Sequence, residues 1–322
     1  MGELFPVQID SLQQFGDVLE PSEAEEPILS RPLRAALLEW LTEIWAKDEL
    51  EAVKLQPRKR ALFSGVPGTG KTTLAHHLAG RLGLPMLLIR PERLQSKYMS
   101  DSAGLIGKLF DVLKRRSEPV FLFFDEFDSF AAKRMNSGHN QTVEQDHNLT
   151  INTLLAHLDR YNGFMVAATN FADRIDEAVW RRFEIQISIE LPGEAERRHI
   201  LARYFAPFVM PESALTALAV SMEGATPALM RQFAEHIKRQ IVVGPKAGWE
   251  MNRAAVISRV LSSVQPHPDA GKPRLWSLGA KDLATVKFPW PLHKSLKDYP
   301  AEPAPVVHGE AVVPFKRPGG EA

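Results

Sequence analysis

Between Arg60 and Leu191, short apolar runs alternate with longer segments of mixed polarity. The runs are Ala61 to Phe63, Pro85 to Ile89, Val120 to Phe124, Phe164 to Thr169 and Ile185 to Ile189. Strands separated by helix-length connections imply βαβ units, and therefore a parallel sheet covered by helices on both faces. Upstream, Ser30 reads as a helix cap with Pro32 in the first turn, and Leu33, Leu37, Leu41 and Ile44 recur at helical spacing as a core-facing stripe. The acidic stretch before it, ending in Pro21-Ser22-Glu23-Ala24-Glu25-Glu26-Pro27, reads as a linker. Pro192-Gly193 punctuates the chain, after which Glu196 to Phe205 and Pro227 to Val243 predict helices as far as about Val264.

These breaks predict four regions: an N-terminal arm and helix over 1–54, an α/β domain over 55–192, a small helical domain over 193–264 and a tail over 265–322. The tail holds ten of the 24 prolines, which excludes long helices and central strands. Trp276, Phe288 and Trp290 carry too much apolar area for a plain linker, so part of the tail is expected to dock on a folded body.

Charge and cysteine content narrow the function classes. Lys plus Arg equals Asp plus Glu at 39 each, so no whole-protein field favours nucleic acid or an acidic membrane surface. Without cysteine there are no disulfides, thiolate metal sites or cysteine nucleophiles. Met1 to Asp10 lacks the basic and apolar regions of a secretory signal, and the longest apolar run is broken by Asp125, Glu126 and Asp128. A cytoplasmic protein without a membrane segment is the expectation.

The candidate chemistry begins at Gly65-Val66-Pro67-Gly68-Thr69-Gly70-Lys71-Thr72, which fits the P-loop pattern and sits between a predicted strand and a predicted helix. Its glycines allow backbone N–H groups to wrap a polyphosphate at a helix N-terminus. Lys71 would reach the outer phosphates of ATP, and Thr72 would offer its hydroxyl to magnesium. Phe121-Leu122-Phe123-Phe124-Asp125-Glu126 delivers two acids at the C-terminal end of a buried strand, where open α/β sheets bind ligands. Asp125 would orient Mg2+ through water, and Glu126 would polarise the attacking water. The strand Phe164 to Thr169 ends at Asn170, whose amide both donates and accepts and so can hold either that water or the γ-phosphate.

In this order the motifs resemble the AAA+ ATPases, within them the protein-remodelling branch that includes ESCRT-disassembling and microtubule-severing enzymes; the resemblance runs from about Gly16 to Gln240. It implies a P-loop NTPase αβα domain in three layers followed by a helical lid. By the same resemblance Arg181 and Arg182, in Asp176-Glu177-Ala178-Val179-Trp180-Arg181-Arg182-Phe183-Glu184, are arginine fingers for a neighbouring subunit's ATP. Leu94-Gln95-Ser96-Lys97-Tyr98-Met99 is similar to a pore loop, with Tyr98 gripping substrate; Ser100-Asp101 stands where the family has Gly-Glu. Arg134 to Asn148 matches a second pore-facing loop in position, and His139 and His147 lack metal-site spacing. Ala228 stands where many AAA+ proteins place a nucleotide-contacting arginine, and Arg231 is not assigned a catalytic role.

The resemblance thus implies a homo-oligomeric ring, a hexamer, threading a protein substrate, with an adaptor or a partner enzyme such as a protease supplying target choice. An ATP-controlled assembly switch without threading is the alternative. A DNA-loading factor is disfavoured by the zero net charge.

Overall fold

The computed structural model describes residues 11–94, 101–133, 141–268 and 271–300. Six strands, β1 (Gly16–Leu19), β2 (Arg60–Ser64), β3 (Met86–Ile89), β4 (Phe121–Phe124), β5 (Met165–Thr169) and β6 (Ile185–Ser188), form one sheet in the order β1-β3-β4-β5-β2-β6. The five predicted strands pair in parallel, with Phe123 opposite Leu88 and Val166, and Leu62 opposite Ala167 and Gln186. Every residue of β3, β4 and β5 is buried, as the interior of a sheet with both faces covered requires. At the edge, β6 buries Ile187 and exposes Gln186 and Ser188. Helices α1 (Arg31–Trp45), α2 (Lys71–Leu82), α3 (Asp101–Arg115) and α4 (Gln141–Leu158) supply the connections. Leu37, Trp40 and Leu41 are the buried stripe of α1, and Leu33 and Ile44 are half-buried.

Two features depart from the sequence reading. The first is β1, which pairs antiparallel with β3 from Gly16 opposite Ile89 to Leu19 opposite Met86, making the sheet mixed. Its approach needs a glycine, because a Cβ at Gly16 would fall 2.0 Å from the Leu88 carbonyl oxygen. Arg90 and Arg93 hold Asp17 at 2.9 and 3.2 Å. The second is the segment read as a linker: Pro21–Glu23 forms a 3₁₀ turn packed on α2. A Cβ at Gly80 would lie 2.8 Å from the Ala24 Cβ, and His76 Nε2 donates to the Glu20 carbonyl at 2.8 Å. Backbone groups and a small-residue contact hold this turn, so no apolar periodicity announces it.

By contact the chain forms two compact units. One comprises, among the described residues, those within 11–27, 39–65 and 71–189; the other comprises those within 28–38, 66–70 and 190–300. The core of the first contains the apolar strands and a group of phenylalanines in edge-to-face contact, Phe124 with Phe127 at 5.6 Å and Phe127 with Phe183 at 5.4 Å between centroids.

The second unit contains α5 (Glu194–Phe205), α6 (Glu212–Ser221), α7 (Pro227–Val243) and α8 (Arg253–Ser263), followed by short helices at Arg274–Leu278 and Leu283–Lys287. Its core does not close at Val264. Phe288 packs at a tilt against Phe205 at 6.0 Å, Trp276 meets Phe233 edge-on at 5.9 Å, and Leu275, Ala284 and Leu292 are buried in the same cluster. Trp276 Nε1 donates to the Val264 carbonyl at 2.6 Å. Asp282 is fully buried, accepting from Ser221 Oγ, from Arg274 Nε at 3.0 Å and from the Ala284 N–H at 2.8 Å. That saturation with donors is what a buried carboxylate needs. Phe288→Ala is expected to destabilise this unit by about 3–5 kcal/mol. Denaturant unfolding followed by tryptophan fluorescence checks this, and an unchanged midpoint would show that the tail is not part of the core.

Candidate functional site

Strand β2 runs into the loop Gly65–Gly70, and α2 starts at Lys71. Gly68 and Gly70 have φ of 81° and 94°, a left-handed backbone that favours glycine. A Cβ at Gly70 would meet nothing within 4 Å, so the requirement there is conformational. Thr69 Oγ1 donates to the Val66 carbonyl at 3.0 Å and tightens the turn.

The lysine that follows is only 7% exposed. Its Nζ donates to the Gly65 carbonyl and to Asn170 Oδ1, both at 2.7 Å. Burial pushes the Lys71 ammonium below the usual lysine range, and the negative charges of Asp125 and Asp128 oppose that shift. Lys71 and Asn170 leave the C-terminal ends of β2 and β5, which are adjacent in the sheet.

On the other side of β5, β4 ends at Asp125 and Glu126. Thr72 Oγ1 donates to Asp125 Oδ2 at 2.9 Å, and Asp125 Oδ1 accepts from the Glu126 N–H at 3.0 Å. Glu126 is exposed and has φ of 47°, a conformation that costs a non-glycine residue about 1 kcal/mol or more. The turn is pinned directly after it, where the Phe127 N–H donates to the Ala168 carbonyl at 2.8 Å. Two further residues support the site without having been singled out from sequence. Thr169 is fully buried; its Oγ1 donates to Asp128 Oδ1 at 2.6 Å and accepts from the Phe171 N–H at 2.9 Å, framing Asn170 from both sides. Asp128 was legible only as an acid interrupting an apolar run.

This cluster fits ATP with magnesium. Among the described residues, no group of three or more His, Cys, Asp or Glu side chains is placed to hold a metal alone. One hydroxyl and one carboxylate, at Thr72 and Asp125, are the hard oxygen donors suited to a cation that retains waters and takes phosphate oxygens as its other ligands. A buried ammonium beside a glycine-rich turn complements phosphate charge.

The arginines are engaged with other carboxylates. Asp176 caps the short helix Glu177–Trp180, accepting from the N–H groups of Ala178 and Val179 at 2.9 and 3.3 Å. Just beyond, Arg181 has a side chain 69% exposed and paired with Glu177 one helical turn back. Arg182 forms a two-pronged bond to Asp159, at 2.8 and 3.2 Å, and reaches the Ala178 carbonyl at 3.3 Å. This pairing raises the Arg182 pKa and holds the Asp159 carboxyl below the usual aspartate range. Arg231 pairs with Glu235 at 2.8 Å on the exposed surface of α7. Tyr98, its neighbours Lys97 and Met99, and His139 lie outside the described residues. His147 Nε2 donates to the Ala132 carbonyl at 3.0 Å, a packing contact.

Comparison with known proteins agrees with this geometry. Residues 61–191 match the AAA family, described as the ATPase family associated with various cellular activities. An AAA family ATPase of Sinorhizobium fredii, y4kL, is 35% identical over 189 residues, covering 58% of this chain and 56% of that protein. The proteasome-activating nucleotidase of Methanothermobacter thermautotrophicus is 36% identical over 188 residues, covering 56% of this chain and 45% of its own length. The chain therefore spans about half the length of these curated relatives. The crystal structure of the FIGL-1 AAA domain superposes with a TM-score of 0.62 at 21% identity, over 82% of this chain and 91% of that one, a likeness of fold. The P-loop, the paired acids and the strand-end asparagine, which converge at three neighbouring strand ends, all lie within residues 61–191, the part of the chain that matches the AAA family.

Proposed function

We propose that this chain is a magnesium-dependent ATPase of the remodelling type, assembling as a ring, a hexamer, that pulls a protein substrate through its centre. The observation that carries the catalytic half is the pairing of Lys71 with Asn170 and of Thr72 with Asp125 at adjacent strand ends. In this reading Val66 to Thr72 wrap the phosphates, and Lys71 leaves Gly65 and Asn170 for the outer phosphate oxygens. Thr72 and, through water, Asp125 hold magnesium, which when bound neutralises charge on the β- and γ-phosphates. Glu126 takes a proton from water as its oxygen attacks the γ-phosphorus, and the bond to the bridging oxygen of ADP breaks. Asn170 orients that water or the γ-phosphate.

Arg181 and Arg182 complete the site of a neighbouring protomer, a contribution worth about three to five orders of magnitude where it has been measured in P-loop enzymes. Exposure and a weak surface pair favour Arg181 as the reaching side chain; the Asp159 fork makes Arg182 the more constrained of the two. Threading rests on resemblance alone, with Tyr98 as the gripping residue. The name of the archaeal relative supports a partner protease as one outlet for substrate. Among the described residues no helix is long and apolar enough to cross a membrane, which is compatible with a cytoplasmic location.

Light scattering behind a sizing column tests the ring. Glu126→Gln is expected to shift to a ring-sized species only with ATP and magnesium, while its hydrolysis falls about 10²–10⁴-fold; a persistent monomer, or hydrolysis at the normal rate, refutes the assembly or the base. Lys71→Ala is expected to abolish nucleotide binding, and Arg181→Ala to be inactive alone yet recover some activity when mixed with Lys71→Ala protein. Tyr98→Ala is expected to keep basal ATPase and lose substrate remodelling, whereas a switch would lose neither. Arg182→Ala is expected to return the Asp159 carboxyl upward to the ordinary aspartate range, readable by carboxyl-carbon NMR titration.

A further inference from the structure

Two glycines of the P-loop with similar backbone angles have different surroundings. Gly70 has open space where a Cβ would be, but a Cβ on Gly68 would lie 2.9 Å from the Ala228 Cβ and 3.1 Å from Thr226 Oγ1. The Gly68 carbonyl also accepts a hydrogen bond from the Ala228 N–H at 3.2 Å. Gly68 and Ala228 both belong to the second compact unit. The Ala228 N–H is one of the first four of α7, which have no partner inside their own helix. A loop carbonyl is the kind of acceptor that such a donor and the positive end of a helix favour.

The corner that makes this contact is itself fixed. Gly224 turns the chain with φ of 81°, Ala225 is fully buried, and Thr226 is 5% exposed. Thr226 caps α7 by accepting from the Leu229 N–H at 3.2 Å, and Pro227 holds the first helical position. A rigid surface therefore lies against the tip of the loop, and its nearest atoms there are the Ala228 methyl group and the Thr226 side chain.

We propose that Thr226-Pro227-Ala228 is a brace that sets the conformation of the P-loop, with Ala228 as a positioning residue whose small size fixes where Gly68 sits. The inference rests on reading Val66 to Gly70 as the phosphate cradle. It gives residue 228 a task that involves no contact with nucleotide: a larger side chain there displaces the Gly68 carbonyl and misaligns the N–H groups that follow it.

The test is titration of the full chain with a fluorescent ATP analogue and magnesium, comparing the wild type with Ala228→Leu, Ala228→Gly, Gly68→Ala and the double variant Gly68→Ala/Ala228→Gly. Ala228→Leu is expected to weaken binding about tenfold or more, the scale of overpacking a close contact, with the far-UV circular dichroism unchanged. Gly68→Ala is expected to weaken binding less in the Ala228→Gly background than alone, by about threefold or more, because the clash is relieved while the left-handed strain is common to both. The double-variant comparison decides the matter even if Ala228→Leu folds poorly. Equal cost of Gly68→Ala in the two backgrounds overturns the brace, as does a well-folded Ala228→Leu that binds like the wild type. A wild-type chain that fails to bind the analogue refutes the phosphate cradle itself, and the brace with it.

Discussion

An ammonium group with almost no access to water must be solvated by the protein, and Lys71 is solvated by the ends of strands. The Gly65 carbonyl follows β2, the Asn170 amide follows β5, and the Asp125 charge follows β4. Polar partners at three neighbouring strand ends can meet one lysine only if the strands keep their register, which sets Ser64 opposite Thr169 and Phe124 opposite Ala167. The apolar sheet thus serves as the scaffold that makes a desolvated cation tolerable, and the cation in turn is what a polyphosphate would find waiting. Thr169 and Asp128 lock the β5 end, and the Phe127 N–H locks the β4 end. The segment that must present Glu126 is left in a strained, exposed turn between fixed points.

Much of this was legible in the sequence because double-sided burial writes itself as contiguous apolar residues. Met86 to Ile89, Phe121 to Phe124 and Met165 to Thr169 needed no tertiary information to be found. The acids and the asparagine were legible by position, just past those runs. β1 was not, because four residues with one buried position have no periodicity, and its pairing depends on what Gly16 lacks. The turn at Pro21–Glu23 was hidden for a related reason, being held by a helix glycine and a backbone carbonyl. Docking of the tail was legible in Trp276, Phe288 and Trp290, which pack in or against the core of the second unit, but its short helices were not, because between prolines they carry too few residues to show a helical period.

The two arginines illustrate a limit of a different kind. Side by side in sequence, they read as equivalent, yet one lies open to solvent on its own short helix and the other is forked onto Asp159. Only the fold separates them, since Asp159 is 23 positions away at the end of α4. The same holds for Gly68 and Gly70, whose shared left-handed backbone conceals that only one has a neighbour to make room for.

The small strand at the sheet margin has a consequence for the solubility of the whole. Without β1, the outermost strand would be Met86–Ile89, four apolar residues with a row of free backbone donors and acceptors, which is a template for another chain. β1 covers that row with a four-residue strand whose Asp17 is paired with Arg90 and Arg93, so the strand that replaces it at the margin is short and carries charge. Gly16 therefore does more than permit a close approach: by seating β1 it keeps the apolar strand Met86–Ile89 in the interior of the sheet.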